Sequence, residues 1–545
     1  MATLLNEHFC SVFNKGNYRD VQMKEVDSSS QVFLLDNFNI TNEDVFKALG
    51  EFKLNKSPGI DNITSNYALK IKETLTEPLR VLFNRSIEVN EIPSDWKKAN
   101  ITPIYKKGSK SSAENYRPVS LTVLFGKVME KIIKKYIESF LETSSYVNKT
   151  QHGFMKGMSC MTNLLICQES VMSLMDEGAA VDIMYLDFQK AFDKVPHGRL
   201  ICKIREAGVG GKLGDWIENW LANREQRVVI NGSKSDWAEV KSGVPQGSIL
   251  GPLLFTVYIN DLDEGLNNKI LKFADDTKIW GRVNSKDEVL LMQEDLKKLS
   301  EWSEKNAMPF NVTKCKVMHV GRKNPRQEYI LKGQILSSIK EEKDLGVFFS
   351  ESFKPTLNCN KVSKSANKVI GLIRRNIVNK TAEGMLILYK TLVRPIIDYC
   401  IPVWRPFTKK DIGTLEKIQK KFTKMIVGCK SLSYEQRLKK LSLTSLEQRH
   451  IRADLIQAFK VLNDKKGLYP VNFLALVSRA GRGNSLKLYK KRNSLELTRQ
   501  RFTSRVVDPW NNLPDEIVLS ADVSDFKSRL DYHMRGVRGQ IQANA

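Results

Sequence analysis

The chain has 545 residues, with 86 Lys+Arg against 61 Asp+Glu and a formal net charge of +25. A content of 41% hydrophobic and 9% aromatic residues excludes wholesale disorder, and the length excludes a peptide hormone or a disulfide-stapled mini-domain. Residues 1–350 carry 48 basic and 45 acidic groups (net +3), whereas 351–545 carry 38 and 16 (net +22), so a polyanionic partner is expected at the C-terminal third.

Residues 1–40 show few apolar repeats and read as a linker. From Thr41 the stretch TNEDVFKALGEF predicts a helix capped by Thr41 or Asn42, with Val45, Leu49 and Phe52 on one face. A second helix is predicted over 68–90. ANITPIY (99–105) and YRPVSL (116–121) enclose KKGSKSSAEN and predict a β-hairpin with a basic tip. A long amphipathic helix over 123–141 follows, then a buried strand, VDIMYL (181–186), that runs directly into Asp187. Strand-like segments at 227–230 and 239–244 precede a Pro-Gln-Gly break. Beyond it come a helix over 251–262, a hairpin-like segment at 272–280, a helix over 286–306, and short strands at 315–320 and 345–349.

After Lys354 the pattern is nearly all helical, over 360–375, 381–399, 410–427 and 436–462. In the third of these, Ile412, Leu415, Ile418, Phe422 and Met425 make an apolar stripe, and Lys417, Lys420, Lys421 and Lys424 lie away from it. One such lysine face is equally a solvated surface; four helices with this unbalanced charge favour phosphate contact. Strands do not alternate regularly with helices, which points to an α+β fold rather than a doubly wound sheet.

Eight scattered cysteines without a CxxC fit free thiols in a reducing compartment. MATLLNEHFCSVFN has no secretory or transit pattern. The apolar stretch 249–259 is too short for a bilayer span of roughly 20 residues. A soluble nuclear or cytoplasmic protein with no membrane partner is expected.

The sharpest local chemistry is Lys272-Phe273-Ala274-Asp275-Asp276. Adjacent carboxylates repel unless a cation or solvent screens them, so FADD fits an acidic turn as well as a hairpin offering oxygens to hard divalent metals. If the two segments are neighbouring strands, Asp187 converges with Asp275 and Asp276. Such a group could hold two Mg²⁺ ions about 3.5–4 Å apart, one activating a hydroxyl and one steadying a leaving oxygen.

YLDFQKAFD, GVPQGSILGPLLFTVYINDL and FADDTKIW, in that order, closely resemble motifs A, B and C of reverse transcriptases. ITPIYKKG, NYRPVSL, QHGFMKG, MPFNVTKCKVMHVGR, EKDLGV and LYKTLVRPIIDYCIPVW resemble the LINE, or non-LTR retrotransposon, branch of the jockey and chicken-repeat type. The resemblance runs from about Leu4 to Asp525. It implies a right-hand polymerase fold: a linker-like segment at 1–40, fingers and a palm with an antiparallel sheet at 41–350, a helical thumb at 351–430, and a mostly helical basic C-terminal region at 431–545. The implied activity is RNA-directed DNA polymerisation, adding deoxynucleotides (dNTPs) to a DNA primer on an RNA template and holding the RNA–DNA duplex. The alternative is a nucleic-acid-binding remnant without catalysis.

The resemblance implies Asp187, Asp275 and Asp276, with the Phe188 carbonyl, as ligands of two Mg²⁺ ions, with Mn²⁺ as a substitute. Phe192 matches the bulky residue that excludes a ribose 2′-hydroxyl. Arg117 and the Lys106-Lys107 pair match groups gripping the incoming triphosphate, for which a planar guanidinium is well suited. Gln246 and Gly247 match the motif B turn, where a glycine admits close backbone approach. Lys314 matches a lysine proposed to protonate departing pyrophosphate, and Leu345-Gly346-Val347 matches the primer-gripping hairpin. Met155 and Met158 depart from the family, which often carries basic residues there. The chain starts within what resembles the linker after an endonuclease domain, so nicking activity is not expected, nor is an RNase H segment.

Overall fold

The computed structural model describes residues 1–14, 38–464, 467–477 and 484–543. Among the described residues, fourteen strands form two five-stranded sheets and two ribbons. β1 (Lys98–Tyr105) and β2 (Tyr116–Leu121) make the expected hairpin, pairing Tyr105 with Tyr116. β3 (Val181–Leu186) belongs to the other sheet. β4 (Arg224–Ile230) lies parallel to β1 and pairs antiparallel with β5 (Ser233–Lys234) and β6 (Ala238–Val240). β7 (Lys269–Phe273) pairs with β8 (Asp276–Arg282), and β8 and β9 (Lys316–Val320) flank β3; β10 (Ile330–Leu331) and β11 (Gln334–Ile335) form a small ribbon. β12 (Ser337–Ile339) closes the central sheet in the order β12-β9-β3-β8-β7, antiparallel except where β12 joins β9. β13 (Glu341–Asp344) and β14 (Val347–Ser350) form a separate hairpin.

The central sheet is buried on both faces, and strand alternation divides its side chains. Met184, Leu186, Ile279 and Val317 enter a core with the helices Asn42–Gly50, Lys72–Val89 and Leu124–Thr143. Val181, Ile183, Trp280 and Met318 face the opposite way, into a second core. There the helix Cys160–Asp176 meets chain from Val347 onward as far as Leu530.

Several expected elements differ at their edges. The linker-like N-terminal stretch opens with a helix, Ala2–Ser11, whose Ala2, Leu5 and Phe9 pack on Ala99, Ile101 and Val228. The helix predicted over 68–90 breaks at Ile71 into Ser65–Lys70 and Lys72–Val89. Likewise 436–462 divides into Tyr434–Lys440 and Leu446–Leu462, with Ser442 at φ +51° and Ser445 capping the second helix through Gln448 N–H. The helix expected at 381–399 contains a π-turn at Tyr389–Val393, followed by Arg394–Asp398. Thr41 is the cap of its helix, in a reciprocal box with Asp44. Lys417, Lys420, Lys421 and Lys424 are exposed, as the stripe opposite them predicts. Among the described residues no helix is long and apolar enough to cross a membrane.

Candidate active site

β3 and β8 pair antiparallel with Leu186 opposite Thr277, so Asp187 and Asp276 leave the sheet at the same end. β7 and β8 are joined by a two-residue turn, Ala274-Asp275, with Phe273 paired to Asp276. Three carboxylates from distant sequence therefore share one rim of the central sheet. Ala274 holds φ +55° in this turn, a backbone state costly for a residue with a Cβ.

The neighbouring segment offsets that cost. Gln151 is buried, and its Oε1 accepts from Ala274 N–H at 3.0 Å and Gly153 N–H at 2.7 Å. A Cβ on Gly153 would stand 2.2 Å from Ala274 N, so only glycine permits this approach. Lys272, itself fully buried, donates to the carbonyls of Ile259 (3.2 Å) and Asn260 (2.9 Å) and to Asp263 Oδ1 (2.9 Å). Gln151, Gly153 and Lys272 thus fix the acidic turn. QHGFMKG and KFADD contain them, but nothing in one-dimensional spacing shows that the two segments meet.

Burial raises the Asp275 carboxyl above its usual range, and the charge of Asp187 adds to this; Arg117 and Lys106 pull the other way. Desolvation, then the charges of Asp275, Asp344 and Asp187, push Asp276 up to about 6. Asp276 still reaches solvent, which screens part of that effect. Lys314 Nζ donates to Asp187 Oδ2 at 3.1 Å. Among the described residues, no three acidic, histidine or cysteine side chains are drawn into a finished metal cage. The donor set nonetheless fits hard divalent ions: it is all carboxylate oxygen, and a cation would offset the burial and the neighbouring negative charge that hold Asp275 and Asp276 above their ordinary values. Phe188 follows Asp187, bridges backbone with Phe310 and stacks on its ring at 4.4 Å.

A cavity of about 280 Å³ opens beside the carboxylates, lined among others by Lys107, Asp187, Asp276, Lys314 and Leu345. Lys106, Lys107 and Arg117 are exposed at the β1–β2 hairpin. Leu345-Gly346 is the turn between β13 and β14, and Lys278 and Lys316 tie this hairpin to the central sheet through Asp344 and Glu342.

Phe192 stacks face to face on Phe255 at 4.4 Å and meets Phe154 edge-on at 6.1 Å. The loop before Gly251 docks on the segment after Phe192: Val244 N–H donates to Phe192 O and Gly243 N–H to Val195 O, both at 2.8 Å. Gln246 Nε2 donates to Asp193 Oδ1 at 2.8 Å, and Gln246 O accepts from Ser120 N–H at 2.7 Å. Gly247 sits at φ +130°, and a Cβ there would lie 2.4 Å from Ser120 O. Asp193, which sequence spacing did not single out, is pushed up to about 6, chiefly by burial. It connects the Gln246 turn to the short helix Ala191–Lys194, which follows Asp187 in the chain. Met155 and Met158 lie in the turn between Phe154 and the helix Cys160–Asp176.

Residues 104–364 match the family model described as reverse transcriptase (RNA-dependent DNA polymerase). The chain is 27% identical over 406 residues to a probable RNA-directed DNA polymerase from transposon BS of Drosophila melanogaster, covering 71% of this chain and 44% of that protein. It is 25% identical over 407 residues to the RNA-directed DNA polymerase from mobile element jockey of the same organism, with the same coverage, and 26% identical over 389 residues to the probable polymerase from transposon X-element, covering 69% and 42%. The chain spans less than half the length of these relatives. The order of motifs and these matches agree: residues 104–364 carry a reverse transcriptase domain, and the chain is homologous to the RNA-directed DNA polymerase from mobile element jockey and to the probable polymerases from transposon BS and transposon X-element.

Proposed function

We propose that this chain is itself an RNA-directed DNA polymerase that extends a DNA primer on an RNA template with dNTPs. The observation that carries it is the convergence of Asp187, Asp275 and Asp276 at one sheet end, facing Arg117 and Lys106. In this reading the central sheet is the palm, the β1–β2 hairpin belongs to the fingers and the helices from Thr356 onward supply the thumb. Asp187, Asp275 and Asp276, with the Phe188 carbonyl, would hold two Mg²⁺ ions, which when bound lower the pKa of the primer hydroxyl and neutralise charge on the phosphates. Arg117, Lys106 and Lys107 hold the triphosphate in line; Phe192, packed against two rings, blocks a 2′-hydroxyl. The Gln246-Gly247 turn keeps backbone close to the nucleotide. Lys314 leaves Asp187 to give its proton to departing pyrophosphate. The intact carboxylates favour this reading over an inactive remnant.

Asp275→Asn removes a ligand charge worth several kcal/mol to the transition state, so primer extension should fall by about 10³-fold or more. Equal extension by wild type and variant would overturn the assignment. Phe192→Ala should raise ribonucleotide incorporation about 10- to 100-fold relative to deoxynucleotides, read from competition for the same primer end.

A further inference from the structure

A cavity of about 720 Å³ away from the carboxylates lies wholly in the C-terminal part of the chain. It shares no lining residue with the cavity beside Asp187. Its wall is built from the linker Arg405–Phe407, the start of the helix Leu446–Leu462, the loop 490–493 and the short helices Glu496–Arg499, Phe502–Arg505 and Val507–Asn511. Six of its lining residues are cationic and only Glu447 and Asp508 are acidic.

The six cations divide into two groups. Arg405 and Arg505 both pair with buried Asp454, at 2.8 and 2.9 Å, and Arg505 also donates to the carbonyls of Gln500 and Pro402 at 2.7 Å. Lys490 pairs with Asp508. These three hold the wall together. Lys491, Arg492 and Arg499 are exposed on the same wall, and among the described residues none of them pairs with a carboxylate. Arg499 uses only its Nε, on Asn493 O at 3.2 Å. Three like charges around one concavity repel unless an anion joins them. The side chain of Asn493 donates to Ser504 Oγ at 2.8 Å and leaves its own oxygen without a partner. Half-buried Phe407 adds a ring to the same wall.

We propose that this cavity is a second nucleic-acid site that binds the phosphates of single-stranded RNA, outside the polymerase centre. The choice of RNA rests on the polymerase reading above, which makes an RNA strand the polyanion at hand. Arginine forks bind phosphate oxygens bidentately, and an aromatic wall lets an unpaired base stack, which is how single strands are held without sequence preference. A concavity of this volume lies within the range of small-ligand pockets, about 300–1,000 Å³, and so admits one or two unpaired nucleotides but not the convex flank of a duplex. Template waiting to be copied, or already released, is the strand that would occupy it.

The test uses the full chain preloaded with excess unlabelled RNA–DNA primer-template, so that the polymerase centre is filled. Binding of a fluorescent 12-nucleotide oligouridylate is then followed by anisotropy across a salt series. Wild type should bind, and K491Q/R492Q/R499Q should bind about 10- to 100-fold more weakly at 0.1 M salt, with a log–log salt slope shallower by about 2, since each lost phosphate contact on a single strand removes about 0.7. Ultraviolet crosslinking of the same oligonucleotide to wild type should label a peptide containing Phe407 or Arg492, an outcome that needs no variant to fold. Equal affinity and slope in the two proteins, or crosslinks confined to residues 1–350, would overturn the proposal. Retained RNA binding with loss of binding to phosphatidylserine vesicles would also overturn it, assigning the cavity to a lipid surface. Primer extension by wild type in the same preparation tests the polymerase reading separately.

Discussion

Asp276 shows how a single position joins electrostatics to function. Its carboxyl titrates near 6 instead of 3.8 because of desolvation and the charges of Asp275, Asp344 and Asp187. A carboxyl raised in this way holds its proton longer in the folded state than in the unfolded chain. The stability linked to it is therefore complete below about pH 3.8 and is lost as pH rises through about 6. Asp276→Asn should accordingly melt higher than wild type in metal-free buffer at pH 7.5, with the difference shrinking toward pH 5. Protons compete with metal ions for the same oxygens, so added Mg²⁺ should stabilise wild type more at pH 7.5 than at pH 5.5. Scanning fluorimetry across that range checks both statements; a constant difference between the two proteins would contradict the first.

At the scale of elements, the acidic turn depends on a segment more than a hundred residues earlier in the chain. Gln151 supplies one oxygen to two backbone donors, Gly153 N–H and Ala274 N–H. Gln151→Leu leaves both without an acceptor, and each buried unmet donor costs about 1–3 kcal/mol. Urea unfolding should show a loss in that range, and amide exchange at Ala274 should accelerate. Single-turnover extension should fall more than primer-template affinity, because the turn carries the carboxylates and not the duplex. A variant with unchanged Ala274 exchange would show that the turn keeps its shape without Gln151. The β1–β2 hairpin has a different cause: its strands are adjacent in sequence, joined by a short polar tip, and its pairing follows from local pattern.

Across the whole molecule, the second core unites one face of the central sheet with the C-terminal helices. Leu164, Val171 and Trp280 share it with Phe459, Trp510 and Phe526. Polar ties follow the same path. Asp176 accepts from Ser494 N–H, Leu495 N–H and Thr498 Oγ, and Glu169 accepts from Thr503 through both its backbone N–H and its hydroxyl. A chain ending at residue 430 would strip this core of everything after Cys429 and open part of it, including the side of the helix Cys160–Asp176 that meets residues 494–503, to water. It should aggregate, as judged by sedimentation, and should lack a cooperative melt. A monomeric truncated chain with cooperative melting would mean that the sheet is covered without the C-terminal helices. The exposed lysines of the helix Lys409–Lys424 and the cations around the C-terminal cavity both belong to the +22 of residues 351–545.

Periodicity, turn chemistry and residue order in the sequence alone determined the mixed α+β character, the β1–β2 hairpin, the acidic hairpin and the positions of Asp187, Asp275 and Asp276. Those features are legible because their physics is local: strand alternation, helical spacing and a two-residue turn all act within a few residues. Only the tertiary structure decided that Lys314 faces Asp187, that Gln151 and Lys272 fix the acidic turn, and that Asp193 joins the Gln246 loop to the short helix after Asp187. It also decided where helices break: Ser442 adopts a left-handed backbone and Ser445 starts a new helix, although apolar spacing continues through both. Contacts such as Gln151 with Ala274 and Lys314 with Asp187 leave no period in the sequence, because they depend on which surfaces the folded chain brings together. Net charge behaves likewise. The sequence assigns the basic excess to the C-terminal third, and folding separates the cations that brace Asp454 and Asp508 from those left facing a cavity.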